Sequence, residues 1–277
     1  MLKKIVKKIA LGALALTCTF GCVGTFTACD EGSPEAMIVL EFNGQDYVLS
    51  YQLHNDKTPK TVNHFIWLVQ NQYYDGMCIH DYQMSKNRLF TGAYSLDENG
   101  DLEYEDYYET VTSSPMLASF PHTVWGDKSQ ENPRYTLYGE FKENNYSVGF
   151  ENSGVLKQQY GSLSMYYDTE GDENAKVWVQ NMQGQLIERK EMHNSATSIF
   201  YISTITSATT NRSHCTFATL NNPYTLETLE DAIEEYIGDN EEDWFVTETP
   251  DSNNSEIIYQ LPNEPIIVKS VRITKYA

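Results

Sequence analysis

Beyond Cys29 this chain is short of thiols, of positive charge and of long apolar runs. Three of its five cysteines lie at or before residue 29, which leaves Cys78 and Cys215. Two cysteines do not build a disulfide framework. The absence of a later Cys-x-x-Cys pair excludes a redox site of that kind. Both lie in apolar runs and fit buried free thiols, although an oxidising compartment would also permit a bond between them. No His-x-x-x-His pair encloses a glutamate, so a zincin site is excluded, and no nucleophile elbow supports a serine hydrolase. The whole chain carries −20; after the four leader lysines, 15 lysines and arginines face 39 acids, a net of −24. That balance excludes a nucleic-acid binder, whose phosphates need basic contacts, and a surface that lies against anionic lipid. It suits solubility in an exposed, salty compartment.

What the N-terminus does contain is a targeting segment. Lys3, Lys4, Lys7 and Lys8 precede an apolar run over residues 9–26, which ends in Phe26-Thr27-Ala28-Cys29. The run is short and rich in Gly and Thr, which argues against a spanning helix. Small residues just before a cysteine match a bacterial lipoprotein processing site. Residues 1–28 then form the signal peptide, Cys29 carries lipid, and residues 29–36 form a linker. Cys22 is a second candidate, and an ordinary secretory signal is the alternative. Lipid on Cys29 would place the protein outside the cytoplasm, anchored to the bacterial cell membrane. The remaining roughly 250 residues suffice for one good core.

Two β-rich runs, residues 37–42 and 47–53, flank Asn43-Gly44, a strong hairpin signal. Thr58-Pro59 then opens a helix whose Val62, Phe65, Ile66 and Val69 share one face. Residues 95–134 are acidic, aromatic and turn-rich, and are expected to be a loop insertion. Strands are expected over 135–141, 161–167, 198–204 and 265–273, with a short apolar stretch at 215–217 and a hairpin turning at Gly184. Leu226, Leu229, Ile233 and Ile237 mark a second helix over 225–237, capped by Thr225 and ended by Gly238. Residues 240–256 read as a polar loop. Acidic turns at 97–101 and 168–174 lack EF-hand spacing and read as solvated. Many strands and two helices argue for a mainly β fold, a closed barrel with covered ends; composition alone does not separate this from a sandwich.

Several blocks resemble cyclophilin-type peptidyl-prolyl isomerases, in family order. They are "TPKTVNHF" from Thr58, "YYDGMCIHDY" from Tyr73, "YGEF" from Tyr138, "GSLSM" from Gly161, "NSATSIFYIS" from Asn194, "HCTF" from His214 and "LPNEPIIVKSVRI" from Leu261. The resemblance covers nearly all of residues 37–277. It implies an eight-stranded antiparallel barrel capped by two helices. It also implies an enzyme that rotates the peptide bond before proline without metal or cofactor, using a proline pocket and an arginine donor.

The site residues depart from the family pattern. The arginine position, directly after His80, is Asp81, and an ionised carboxylate cannot donate. The following family block is lost across 84–92. The family's glutamine position is Ile199, Phe200 is kept, the pocket phenylalanine is Tyr201 and the tryptophan position is Thr209. His214 matches a pocket histidine. Tyr201, His214, Phe200 and Ile199 are therefore the substrate-binding candidates. Tyr201 also fits a core aromatic, and His214 a loop-end histidine bonded to backbone. Arg88 is the cation that could replace the missing donor; it equally fits a solvated charge or a partner for Asp81. The resemblance implies proline-containing peptides or extracytoplasmic client proteins as partners, with activity weakened by Asp81. The alternative is a non-catalytic binding module or an adhesin-like scaffold.

Overall fold

The computed structural model describes residues 32–83, 86–146, 155–168, 170–181, 183–238, 244–250 and 256–276. The leader, Cys29 and the first linker residues lie outside them. Eight strands form one antiparallel sheet: β1 (Glu35–Phe42), β2 (Gln45–Leu53), β3 (Asp81–Gln83), β4 (Arg88–Thr91), β5 (Leu163–Met165), β6 (Phe200–Ser203), β7 (Cys215–Leu220) and β8 (Ile267–Lys275). Their order is β8-β1-β2-β7-β5-β6-β4-β3. The run ahead of β3 meets β8 at the other edge. Gly76 N–H donates to Val268 O (2.8 Å), Val268 N–H to Met77 O (2.7 Å) and Ile79 N–H to Ile266 O (2.9 Å). The sheet therefore curls until its edges meet, which removes open strand edges.

Local sequence explains the first hairpin. Along β1, Ala36, Ile38, Leu40 and Phe42 alternate inward, as the two-residue period of a strand requires. Asn43 and Gly44 both take positive φ (49° and 74°), the requirement of the tight turn that matches strand twist. β1 starts at Glu35, so the last two residues of the expected linker are already paired with β2 and β8.

Helix α1 (Pro59–Gln70) buries Val62, Phe65 and Val69, with Thr61, His64 and Leu68 beside them. Thr58 does not cap it through its side chain; its hydroxyl bonds back to His54 O at 3.2 Å. The carboxylate of Glu140 caps it instead, accepting from Lys60 N–H (3.2 Å), Thr61 N–H (2.8 Å) and the Thr61 hydroxyl (2.7 Å). A helix start leaves such N–H groups without intrahelical partners. Burial pushes Glu140 up to about 7, against the pull of those donors and of Lys60. The second capping helix (Pro223–Ile237) begins before the expected Thr225, because Asn222 occupies the cap position and Pro223 the first turn. It buries Leu226, Leu229, Ile233 and Ile237 and stops at Gly238.

Three expectations are corrected. Residues 95–134 are not a structureless loop. They contain strands at Leu102–Tyr104, Val124–Trp125 and Pro133–Arg134 and a third helix, Tyr107–Ser113, capped by Asp106 accepting from Glu109 N–H at 2.9 Å. Val124–Trp125 joins the Gly184 hairpin (Lys176–Gln180 and Leu186–Lys190) in a second, four-stranded sheet. Its own core is Val124, Tyr138, Tyr146, Val177 and Val179, so the 95–134 segment and the Gly184 hairpin bury apolar residues against each other. The alternating run 135–141 makes only a single bridge, Leu137 to Ala196, because Glu140 and Phe141 are used inside, on the helix cap and the core. Part of the expected polar loop 240–256 is a strand, Trp244–Pro250, paired with Glu256–Pro262.

Met165 is fully buried. Cys78 and Cys215 are free and buried, and burial raises both thiols, Cys78 to about 12. Among the described residues no helix is long and apolar enough to cross a membrane.

Candidate functional site

Strand register places a row of side chains on the outer face of the barrel. Asp81 on β3 is opposite Phe90 on β4, Phe90 opposite Tyr201 on β6, Tyr201 opposite Ser164 on β5, and Ser164 opposite Thr216 on β7. Arg88 precedes Phe90 by two residues and shares that face. The alternate residues Leu89, Phe200 and Ile202 point into the core.

Around Arg88 this face is an aromatic box. The Arg88 guanidinium carbon lies 4.7 Å from the centre of the Tyr201 ring. Phe90 is 5.2 Å from Tyr201 and 5.6 Å from Tyr166, centre to centre. His214 stacks on Tyr166 at 4.9 Å and 27°, and meets Tyr201 edge-on at 5.8 Å. The Tyr201 hydroxyl accepts from Asn211 Nδ2 (2.6 Å) and donates to Gln158 Oε1 (3.4 Å); Gln158 Nε2 in turn donates to Ser203 Oγ (2.9 Å). The ring is thus fixed, with no exposed surface.

The electrostatics follow from this packing. Tyr167 N–H donates to His214 Nδ1 at 3.2 Å, which leaves the ring proton on Nε2. Burial, with the Arg88 charge adding to it, pushes His214 down to about 3, so the imidazole is neutral. Burial raises Tyr201, while Arg88 and hydrogen bonds from Ser164 and Asn211 pull it back. Arg88 makes no ion pair among the described residues, and its Nε is buried without a hydrogen-bond partner. A cation over aromatic faces is held by the ring quadrupoles.

Of the residues expected at the site, Tyr201, His214 and Arg88 come together. Asp81 is on the same face but turned to other partners: Gln83 Nε2 donates to Oδ2, and Gln260 N–H to Oδ1 at 3.3 Å. Burial raises its pKa against those hydrogen bonds. Asp81 therefore ties the strand Glu256–Pro262 to β3. Phe200 is not in the box; it packs inside against Phe65 (5.7 Å) and Tyr74 (5.1 Å). Ile199 joins a separate cluster with Cys78, Ala93 and Tyr94, and Thr209 is exposed. Phe90, Tyr166, Asn211 and Gln158 complete the site and were not anticipated. The two-residue step from Arg88 to Phe90 signals the first; Tyr166 follows Met165 with no comparable mark. The described residues hold no cluster suited to a metal ion.

An aromatic seat of this kind can hold an apolar ring or a cation, and here one strong donor, Arg88, lies on it. A curled eight-stranded antiparallel sheet flanked by two helices is the architecture of the cyclophilin-type fold. The chain belongs to the cyclophilin family: residues 37–252 match the model described as "Cyclophilin type peptidyl-prolyl cis-trans isomerase/CLD". No curated protein matches. Among solved structures, it is similar to a cyclophilin type peptidyl-prolyl cis-trans isomerase of Cryptosporidium parvum at 15% identity and a TM-score of 0.45, over 88% of this chain and 99% of that one. The same isomerase in the presence of the dipeptide Ala-Pro gives 15% identity and 0.44, over 87% and 99%.

Proposed function

We propose that this chain is a lipid-anchored surface protein whose cyclophilin domain acts on X-Pro bonds of extracytoplasmic proteins, as a weak peptidyl-prolyl isomerase. The observation that carries the reading is the Arg88 guanidinium over Tyr201. X-Pro rotation needs no covalent step. It needs a seat for the ring and a donor for the twisted amide, whose partial double bond sets an uncatalysed barrier of ~18–20 kcal/mol. Arg88 supplies a permanently charged fork of donors. Its position also explains weak turnover: at rest it fills the seat, while Asp81, where the family has arginine, accepts instead of donating. Losing one well-aimed donor costs about 10²–10³-fold in rate.

The leader supports the location. Lipid on Cys29 would hold the domain at the outer membrane face, where slow X-Pro isomerisation limits the folding of exported chains. Cys29→Ser should release the protein from the membrane fraction; retention would point to another anchor. The second reading, a peptide-binding module without turnover, is favoured by the occupied Asp81. Exchange NMR on an X-Pro peptide with residues 30–277 separates the two. A small, saturable enhancement over the uncatalysed rate is expected. Saturating shifts with no enhancement would establish the binding module.

A further inference from the structure

Arg88 stands out among the cations of this acidic chain. Its charge sits in a box of Phe90, Tyr166, Tyr201 and the neutral imidazole of His214, with no carboxylate paired to it among the described residues. Its Nε–H is buried and has no acceptor among the described residues. A donor in that state lacks the hydrogen bond that buried polar groups almost always make. The seat is filled but its occupant is incompletely satisfied, and what it lacks is an anionic acceptor. Two members of the box are held by hydrogen bonds: Tyr201 by Asn211 and Gln158, and His214 by the backbone of Tyr167. Arg88 is only half-buried and has no such tether among the described residues.

We propose that Arg88 is an internal ligand of the aromatic seat, displaced when a carboxylate beside the client's proline pairs with it, so that the site selects prolines preceded by an acidic residue. The inference rests on the isomerase-like reading of this groove. Before binding, the guanidinium lies on the Tyr201 face, where a proline ring would have to sit. An incoming Glu or Asp offers a bidentate acceptor whose geometry matches the guanidinium fork. Drawing Arg88 off Tyr201 satisfies the orphan donor and opens the ring face in one step. The displaced guanidinium then stands beside the X-Pro amide, where its donors face the carbonyl. Selection by contact runs against the long-range field, since residues 30–277, with 15 lysines and arginines against 39 acids and a net charge of −24, repel acidic peptides. Contact and field therefore predict opposite orders of affinity.

The test is an NMR titration of residues 30–277, a span containing the whole compact unit from Gly32 onward. The ligands are capped tetrapeptides with Glu, Ala or Lys before proline. The parent chain should bind the Glu-Pro peptide about tenfold or more tightly than the Ala-Pro peptide. Arg88→Ala should bind Ala-Pro more tightly than the parent does, because its seat is empty, and should no longer prefer Glu-Pro. Arg88→Lys keeps the charge without the planar fork and should retain only part of the preference. Equal binding of all three peptides by the parent, a preference for Lys-Pro, or a Glu preference that survives in Arg88→Ala would overturn the proposal. If folded Arg88→Ala, with a dispersed spectrum, binds none of the peptides, the groove is no proline site; the functional reading then fails, and the gating proposal with it.

Discussion

Glu140 links helix capping to pH, and replacing it with Gln gives a quantitative expectation. The carboxyl is fully buried beneath the first turn of α1, and folding raises its pKa from 4.5 to about 7. The folded state therefore holds this proton more tightly than the unfolded chain. The group adds stability that is complete below pH 4.5 and lost as pH rises through 7. The gap corresponds to about 3 kcal/mol, at ~1.4 kcal/mol per pKa unit. His64, His80 and His214 act in the opposite sense. Burial lowers them to about 4, 3 and 3, so their contribution is lost as pH falls through those values. Only the difference between parent and Glu140→Gln isolates the carboxyl. Urea unfolding of both proteins at several pH values between about 4.5 and 8.5 measures it. The parent's advantage over the variant should shrink by about 3 kcal/mol across that range. A difference that stays constant would show that Glu140 titrates like an ordinary carboxylate, and the account of this cap would be wrong.

Three further substitutions or treatments probe the packing. Phe200→Ala should cost about 3–5 kcal/mol, because the ring lies inside against Phe65 and Tyr74; a loss of peptide binding with unchanged stability would return Phe200 to the groove. Gly92→Ala should destabilise by more than about 1 kcal/mol, since Gly92 has φ +97° and a Cβ there would lie 2.5 Å from Ser198 O; thermal unfolding reads it. Cys78 and Cys215 should resist a thiol reagent in the native protein and react after unfolding, because burial keeps both protonated; rapid native labelling of either would show that its pocket opens.

Much of the barrel was legible because its signals are local. Asn43-Gly44 between two alternating runs, Pro59 ahead of a helical stripe, and Gly238 after another each carry their own geometry. The inserted sheet was not legible, since strands of two residues such as Val124–Trp125 are too short to show a period, and their partner lies fifty residues on, at Trp178 and Val179. The run 135–141 alternated as a strand does, but Glu140 and Phe141 were claimed by the helix cap and the core. At the site, Tyr201 and His214 were found through family order. Family order puts Phe200 beside Tyr201, but consecutive strand residues face opposite ways, and the two-residue period excludes it from the groove. Arg88 was visible as a cation in the right stretch, but its seat on Tyr201 depends on a register between β4 and β6 that no local pattern reveals.

The central claim is that Arg88 both fills the seat and serves as the donor. Exchange NMR at increasing X-Pro peptide concentration, for the parent chain and for Arg88→Ala, separates occupancy from turnover. The account predicts that the variant binds the Ala-Pro peptide more tightly and loses the catalysed exchange. A variant that catalyses as well as the parent, or binds more weakly, would contradict it.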